Sequence, residues 1–190
     1  IPTRARAADA EDWLASQTGF VEARMAEIPE LVPFAMGAAL PVLGRVREVI
    51  ASETGKTALL PSALAVAAQD PGKIAMQVEK TVRNAVLQEV IVQVHRCWQT
   101  LGVPEAEVTI RKMRRRWGSC AVDGRTTFNW RLAFAPPRVL SYVVAHEAAH
   151  RLEMNHGPRF WAIVEDLCPG YEKESSWLRN HGEALYVYGA

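Results

Sequence analysis

The stretch HEAAHRLEMNH, residues 146 to 156, holds two histidines four apart, a glutamate beside the first, and a third histidine six residues after the second. On an α-helix His146 and His150 lie about 40° apart around the axis and about 6 Å apart along it. Two imidazoles so placed can reach one zinc ion at Zn–N distances of about 2.0–2.1 Å. Glu147, adjacent to the first histidine, is then turned to meet a water rather than the ion itself. Zinc lowers the pKa of a bound water towards about 7, and a carboxylate can remove the proton as the oxygen attacks a polarised carbonyl. The preceding LSYVVAHEAAH is apolar or small at most positions, so these ionisable groups are expected in a partly buried wall. Left unpaired there they carry a desolvation cost, which a metal offsets.

His156 sets a geometric condition. If the helix ran on straight, His156 would lie about 15 Å along the axis from His146 and face another side. A three-histidine site therefore requires the helix to end between Leu152 and Asn155. Asn155 tolerates the left-handed backbone region and HGP resists helix continuation, which places the expected bend near Asn155. The other candidates for a third ligand are carboxylates, Glu165 ahead of Glu153, with His156 then a surface residue. His95 reads as a packed helix residue and His181 as a polar residue of the last helix.

Working outward, Pro137 suits the first position of a helix reaching to about Leu152. GPRFWAIVEDL restarts a helix at Pro158, and a last helix is expected over roughly 174–188. Upstream, EVTIRKMRRRWGSCAVDGRTTFNWRLAFAP reads as two or three strands. Asp123-Gly124 is a two-residue hairpin signal, and Phe128, Trp130 and Leu132 alternate with polar neighbours as in a half-buried strand. A long helix is expected from Ile74 to Leu101, with Val78, Val82, Val86, Val90, Val94 and Trp98 forming its apolar stripe. Gly and Pro punctuate residues 37–66 into short strands. Residues 7–28 read as an amphipathic helix. The order predicts an α+β fold, divided into an accessory lobe over 1–73 and a core over 74–190.

Hydrophobic residues make up 49% of the chain and charged ones 23%, the balance of a globular protein. No apolar run approaches the about 20 residues of a membrane span, and IPTRARAADAEDW does not resemble a secretory signal. Three scattered cysteines without CxxC spacing predict reduced thiols and a cytoplasmic protein. A net charge of +1 supplies no global field for nucleic acid, so any such affinity must be local.

RRRWGSC, FNWRL, APPRVLSYVVAHEAAH, EMNHGPRFW and the late PGY…WL together resemble the YgjP-like metallopeptidases, zincins related to the WLM and SprT-like groups. The match is most specific over residues 108–178. The resemblance implies a zincin-like core, a Zn2+ ion held by His146, His150 and His156, Glu147 as catalytic base, and a peptide or protein substrate. Glu153 stands where metzincins carry glycine, and no Met-turn is evident.

By analogy with zincins, RWGSCAVDGRTTFNW lies against the site as an edge that holds an extended peptide, with Gly118 and Ser119 allowing close approach. Trp117 and Trp130 are expected in the core and Cys120 as a small buried residue. Arg159 and Tyr171 are candidates to orient substrate or stabilise an oxyanion. RKMRRR, residues 111–116, has five basic residues in six. Strand alternation is expected to send some to solvent and others into ion pairs; the competing role is a phosphate patch. The leading expectation is thus a zinc-dependent hydrolase acting on peptides. The alternatives are a metal-dependent hydrolase of nucleotide phosphoanhydrides and a nucleic-acid-associated module with a structural metal.

Overall fold

The computed structural model describes Trp13, residues 16–19 and residues 30–189. Trp13 and residues 16–19 are helical, and the rest of the helix expected over 7–28 lies outside the described residues. The chain divides into two compact units, Ile1–Leu31 and Val32–Ala190, and every element below belongs to the second.

Four short strands come first: β1 (Ala39–Val42), β2 (Arg45–Ala51), β3 (Ala58–Leu59) and β4 (Ala63–Val66). They form one sheet in the order β1-β2-β4-β3, with β2 and β4 parallel and the outer pairs antiparallel. Alternation along these strands turns Leu40, Val42, Val49, Leu64 and Val66 into the core.

Helix α1 (Pro71–Leu101) starts three residues before the expected Ile74. The Asp-Pro pair sets that start: the Asp70 side chain accepts from Lys73 N at 3.0 Å, and Pro71 takes a first-turn position where no N–H is needed. Gly102, left-handed at φ 65°, ends it. The expected stripe from Val78 to Trp98 is buried throughout, at 0 or 1% exposure. Its four-residue spacing exceeds the 3.6-residue turn, so the stripe drifts by about 40° per step and by about 200° over its five steps. One helix thereby meets β3 and β4, β5, and the histidine-bearing helix.

A second sheet follows, from β5 (Val108–Arg111), β6 (Gly118–Cys120) and β7 (Thr126–Asn129), in the order β5-β7-β6. β6 is therefore an edge, paired only with β7. The Asp123-Gly124 hairpin is present in a longer form than expected. Gly124 N bonds Ala121 O at 2.8 Å, Ala121 N bonds Arg125 O at 2.9 Å, and Gly124 sits at φ 88°. This is a turn followed by a left-handed residue, the three-residue form of hairpin loop. The alternation through Trp130 and Leu132 does not continue the strand. Asn129 accepts from Arg131 N at 3.2 Å and caps a 3-10 turn, Trp130–Phe134, whose five residues are all buried. Burial on every side removes the distinction between faces on which a period of two depends.

Helices α2 (Pro137–Ala149), α3 (Pro158–Leu167) and α4 (Glu172–His181) complete the α+β fold, and a 3-10 turn, Gly182–Val187, replaces the end of the expected last helix. α2 packs against α1, β6, α3 and α4. No described helix is long and apolar enough to cross a membrane.

The winding stripe predicts a contrast within one helix. Val86→Ala, at 0% exposure, should cost about 2 kcal/mol. Met76→Ala, 63% exposed, should stay within about 0.5 kcal/mol, both read from urea unfolding followed by circular dichroism.

Candidate metal centre

α2 places His146 on its last turn and stops at Ala149, with His150 as its cap. This is earlier than the expected end between Leu152 and Asn155. Arg151 N and Leu152 N bond back to Ala148 O and Ala149 O, each at 3.0 Å, so the last turn tightens to three-residue spacing. The expected left-handed bend at Asn155 is absent: among the described residues Leu43 is the only non-glycine with positive φ. Side chains close the loop instead. Glu153 accepts from Asn155 N at 3.2 Å, and Glu153 O lies 3.1 Å from His150 Nδ1. A glycine at 153 is unnecessary because no residue there enters the left-handed region.

The loop turns His156 back towards α2. His146 Nε2 and His156 Nε2 are 3.2 Å apart, and one ligand atom from each of His146, His150 and His156 lies within 4.8 Å of the other two. Two nitrogens bound to one tetrahedral zinc stand about 3.3 Å apart, given Zn–N near 2.05 Å, so the trio fits a cation of this kind. With His150 Nδ1 engaged by Glu153 O, its Nε2 is the nitrogen left for a ligand. His146 Nδ1 is buried without a hydrogen-bond partner, which leaves that ring almost no polar contact other than at Nε2.

Burial, reinforced by the other two rings, lowers the His146 pKa to about 4. Burial also lowers His150, against the hydrogen bond to Glu153. Both are thus held as neutral imidazoles, the form that ligates a cation. Phe160, fully buried, supports all three rings at centroid distances of 4.9, 4.6 and 4.6 Å. Trp161 donates its indole N–H to His156 O at 3.1 Å and stacks on Tyr171, 5.2 Å away.

Glu147 projects from the same helix into a cavity of about 410 Å³ that His146, His150 and His156 also line. Its carboxylate makes no hydrogen bond to another described residue. Burial raises its pKa to about 8, and Arg116 is the charge that opposes the rise. The opposite wall is β6. A Cβ added to Gly118 would stand 2.5 Å from Glu147 Oε1, so Gly118 makes room for the Glu147 side chain.

Other expected positions are redistributed. Trp130 is core, whereas Trp117 lines the cavity. Cys120 is half-buried on the same wall. Glu165 does not join the histidines: both its oxygens accept from Gly170 N, at 3.1 and 3.0 Å. Tyr171 is stacked between Tyr142 and Trp161, Arg159 is exposed on α3, and neither lines the cavity. Tyr142 and Arg116 do line it. Tyr142 stands one helical turn before His146, a spacing that could have marked it. His95 stacks on Trp98, and the His181 ring lies tilted beside Trp177; neither belongs to the trio.

A histidine trio able to hold a cation and a buried carboxylate beside it line one open cleft. The chain belongs to the YgjP-like family, whose metallopeptidase-domain model matches residues 1–181. It is therefore a metallopeptidase-family protein. No curated protein sequence matches it. Similar solved structures include two metallopeptidase zymogens. Abylysin of Pyrococcus abyssi is 21% identical over 50% of this chain and 93% of that one, at a TM-score of 0.43. Jannalysin of Methanocaldococcus jannaschii is 18% identical over 50% and 96%, at 0.42.

Gly118→Ala gives a test of the wall. In an ordinary strand the exchange would be neutral or stabilising by up to about 1 kcal/mol through the unfolded chain. Here the clash with Glu147 should reverse the sign, at a cost of about 1–3 kcal/mol in denaturant unfolding.

Proposed function

We propose that the protein is a zinc-dependent endopeptidase or exopeptidase in which His146, His150 and His156 hold the ion and Glu147 is the general base. The observation that carries this reading is the convergence of three imidazoles within 4.8 Å, with an unpaired carboxylate on the adjacent residue facing the same cleft. A bound zinc supplies Lewis acidity, polarising the scissile carbonyl and making water acidic enough to attack at neutral pH. The chain supplies the rest. Beside a bound cation Glu147 is held ionised against its burial, and it accepts the proton from the attacking water and passes it to the departing amine. The free edge of β6 offers main-chain donors and acceptors for an extended peptide. The apolar side of the cleft, from Trp117, Tyr142 and Leu178, excludes water and receives a substrate side chain.

A structural metal module is disfavoured because a closed structural site has no use for a carboxylate beside it, and this cavity is open and large enough for several residues' side chains. Hydrolysis of phosphoanhydrides has no comparable support, because Arg116 is the only arginine or lysine among the described residues lining the cavity.

Glu147→Gln should retain stoichiometric zinc while peptide hydrolysis falls by about 10²–10⁴. His156→Ala should lose the zinc, both measured by metal analysis of purified protein beside a peptide-library assay. Wild-type activity preserved in Glu147→Gln would end the mechanism. Trp161→Phe keeps an aromatic ring, though a smaller one, and removes the donor to His156 O. It should weaken zinc affinity by about 10–100-fold in chelator competition, with the far-ultraviolet circular dichroism unchanged.

A further inference from the structure

The five cations of residues 111–116 do not behave as the sequence suggests. Arg111, Lys112, Arg114, Arg115 and Arg116 are all exposed, and among the described residues none forms an ion pair. The chain has 21 acidic residues, yet none of the described ones forms an ion pair with this run, and Glu147 meets Arg116 only as a neighbouring charge. Like charges crowded on one short segment repel one another, so the arrangement has a cost within the protein.

The segment is nevertheless held in place. Asn129, at 0% exposure, donates through Nδ2 to Met113 O at 2.9 Å. Tyr186 Oη donates to the same carbonyl at 2.6 Å, and Asn129 N donates to Trp117 O at 2.8 Å. The backbone is pinned inward at Met113 and Trp117 while the charged side chains face out. The segment runs straight into β6, and Arg116 lines the cleft that contains Glu147.

From the unpaired cations, their pinned backbone and their continuity with the cleft, we propose that the Arg111–Arg116 segment selects peptide substrates carrying acidic residues beside the scissile bond. This rests on the peptidase reading. Arg116 contacts the substrate at the cleft, and Arg114 and Arg115 extend the same field along the chain beyond it. A peptide fits better than a nucleic acid for two reasons. The cation nearest the reaction lines the peptide-sized cleft, and the net charge of +1 offers no wider field to gather a polyanion.

The test uses three quenched fluorescent peptides with one apolar centre, flanked by Glu, Gln or Lys. Wild type should cleave the Glu peptide about tenfold better than the Gln peptide in kcat/KM, the size a few exposed ion pairs supply, with the Lys peptide poorest. Raising ionic strength from about 0.05 to about 0.5 M should shrink the preference, since screening shortens the reach of exposed charges. The triple variant Arg114→Gln, Arg115→Gln, Arg116→Gln should bring the Glu-to-Gln ratio near one. If that variant does not fold, the salt titration on wild type still decides.

Equal cleavage of the three peptides overturns the inference and leaves the peptidase reading standing. Cleavage of none overturns the peptidase reading. In that case fluorescence anisotropy of the same peptides with Glu147→Gln protein decides the selectivity: acid-selective, salt-sensitive binding sustains it, and charge-blind or absent binding overturns it. A duplex DNA of about 20 base pairs that displaces the Glu peptide more effectively than unlabelled Glu peptide does would reassign the segment to nucleic acid, and would also overturn the proposal.

Discussion

The site depends on α2 stopping at Ala149. Had the helix continued, His156 would have been carried along the axis and away from its partners, and no arrangement of side chains could have recovered it. The tightened last turn, the Glu153 contacts to His150 and Asn155, and the buried Phe160 beneath the rings all maintain that one change of direction. The loop is closed by hydrogen bonds from ordinary backbone conformations. Glu153 is therefore part of the architecture, because its carboxylate accepts from Asn155 N, a contact that a glycine cannot make.

A second constraint is the contact between α2 and β6. Glu147 is long and ionisable, and it must be accommodated against a strand without losing access to the cleft. Only the missing side chain at Gly118 makes room for it. The cost is electrostatic: burial makes the ionised carboxylate unfavourable, and the opposing charge comes from Arg116. A carboxylate so placed is sensitive to any charge entering the cleft, which suits a proton acceptor whose partners arrive with the substrate.

Much of this was legible in the residues. The spacing of His146, Glu147 and His150, the need for a break before His156 and the stripe from Val78 to Trp98 each follow from helical geometry. The strand ending at Asn129 was not legible, because FNWRL alternates in sequence while its last three residues are buried all round. The location of the bend was also missed. Side-chain capping by Glu153 leaves no compositional mark, whereas a left-handed residue would. Gly118 was noticed without its partner inside the chain, Glu147, since sequence shows that a close approach is allowed but not what approaches. Arg159 and Tyr171 were attractive by motif, but neither lines the cavity. Ion pairing of the Arg111–Arg116 run failed as an expectation because pairing depends on which acids the fold brings near.

The unpaired side of β6 has a consequence for how copies of the protein meet. An open strand edge invites another chain to add to the sheet, and proteins commonly guard such edges with short length and charge. Here the edge is three residues long and is entered through five unpaired cations. Two molecules approaching edge to edge would bring ten positive charges together, so the sheet resists self-association while remaining open to a strand of opposite charge.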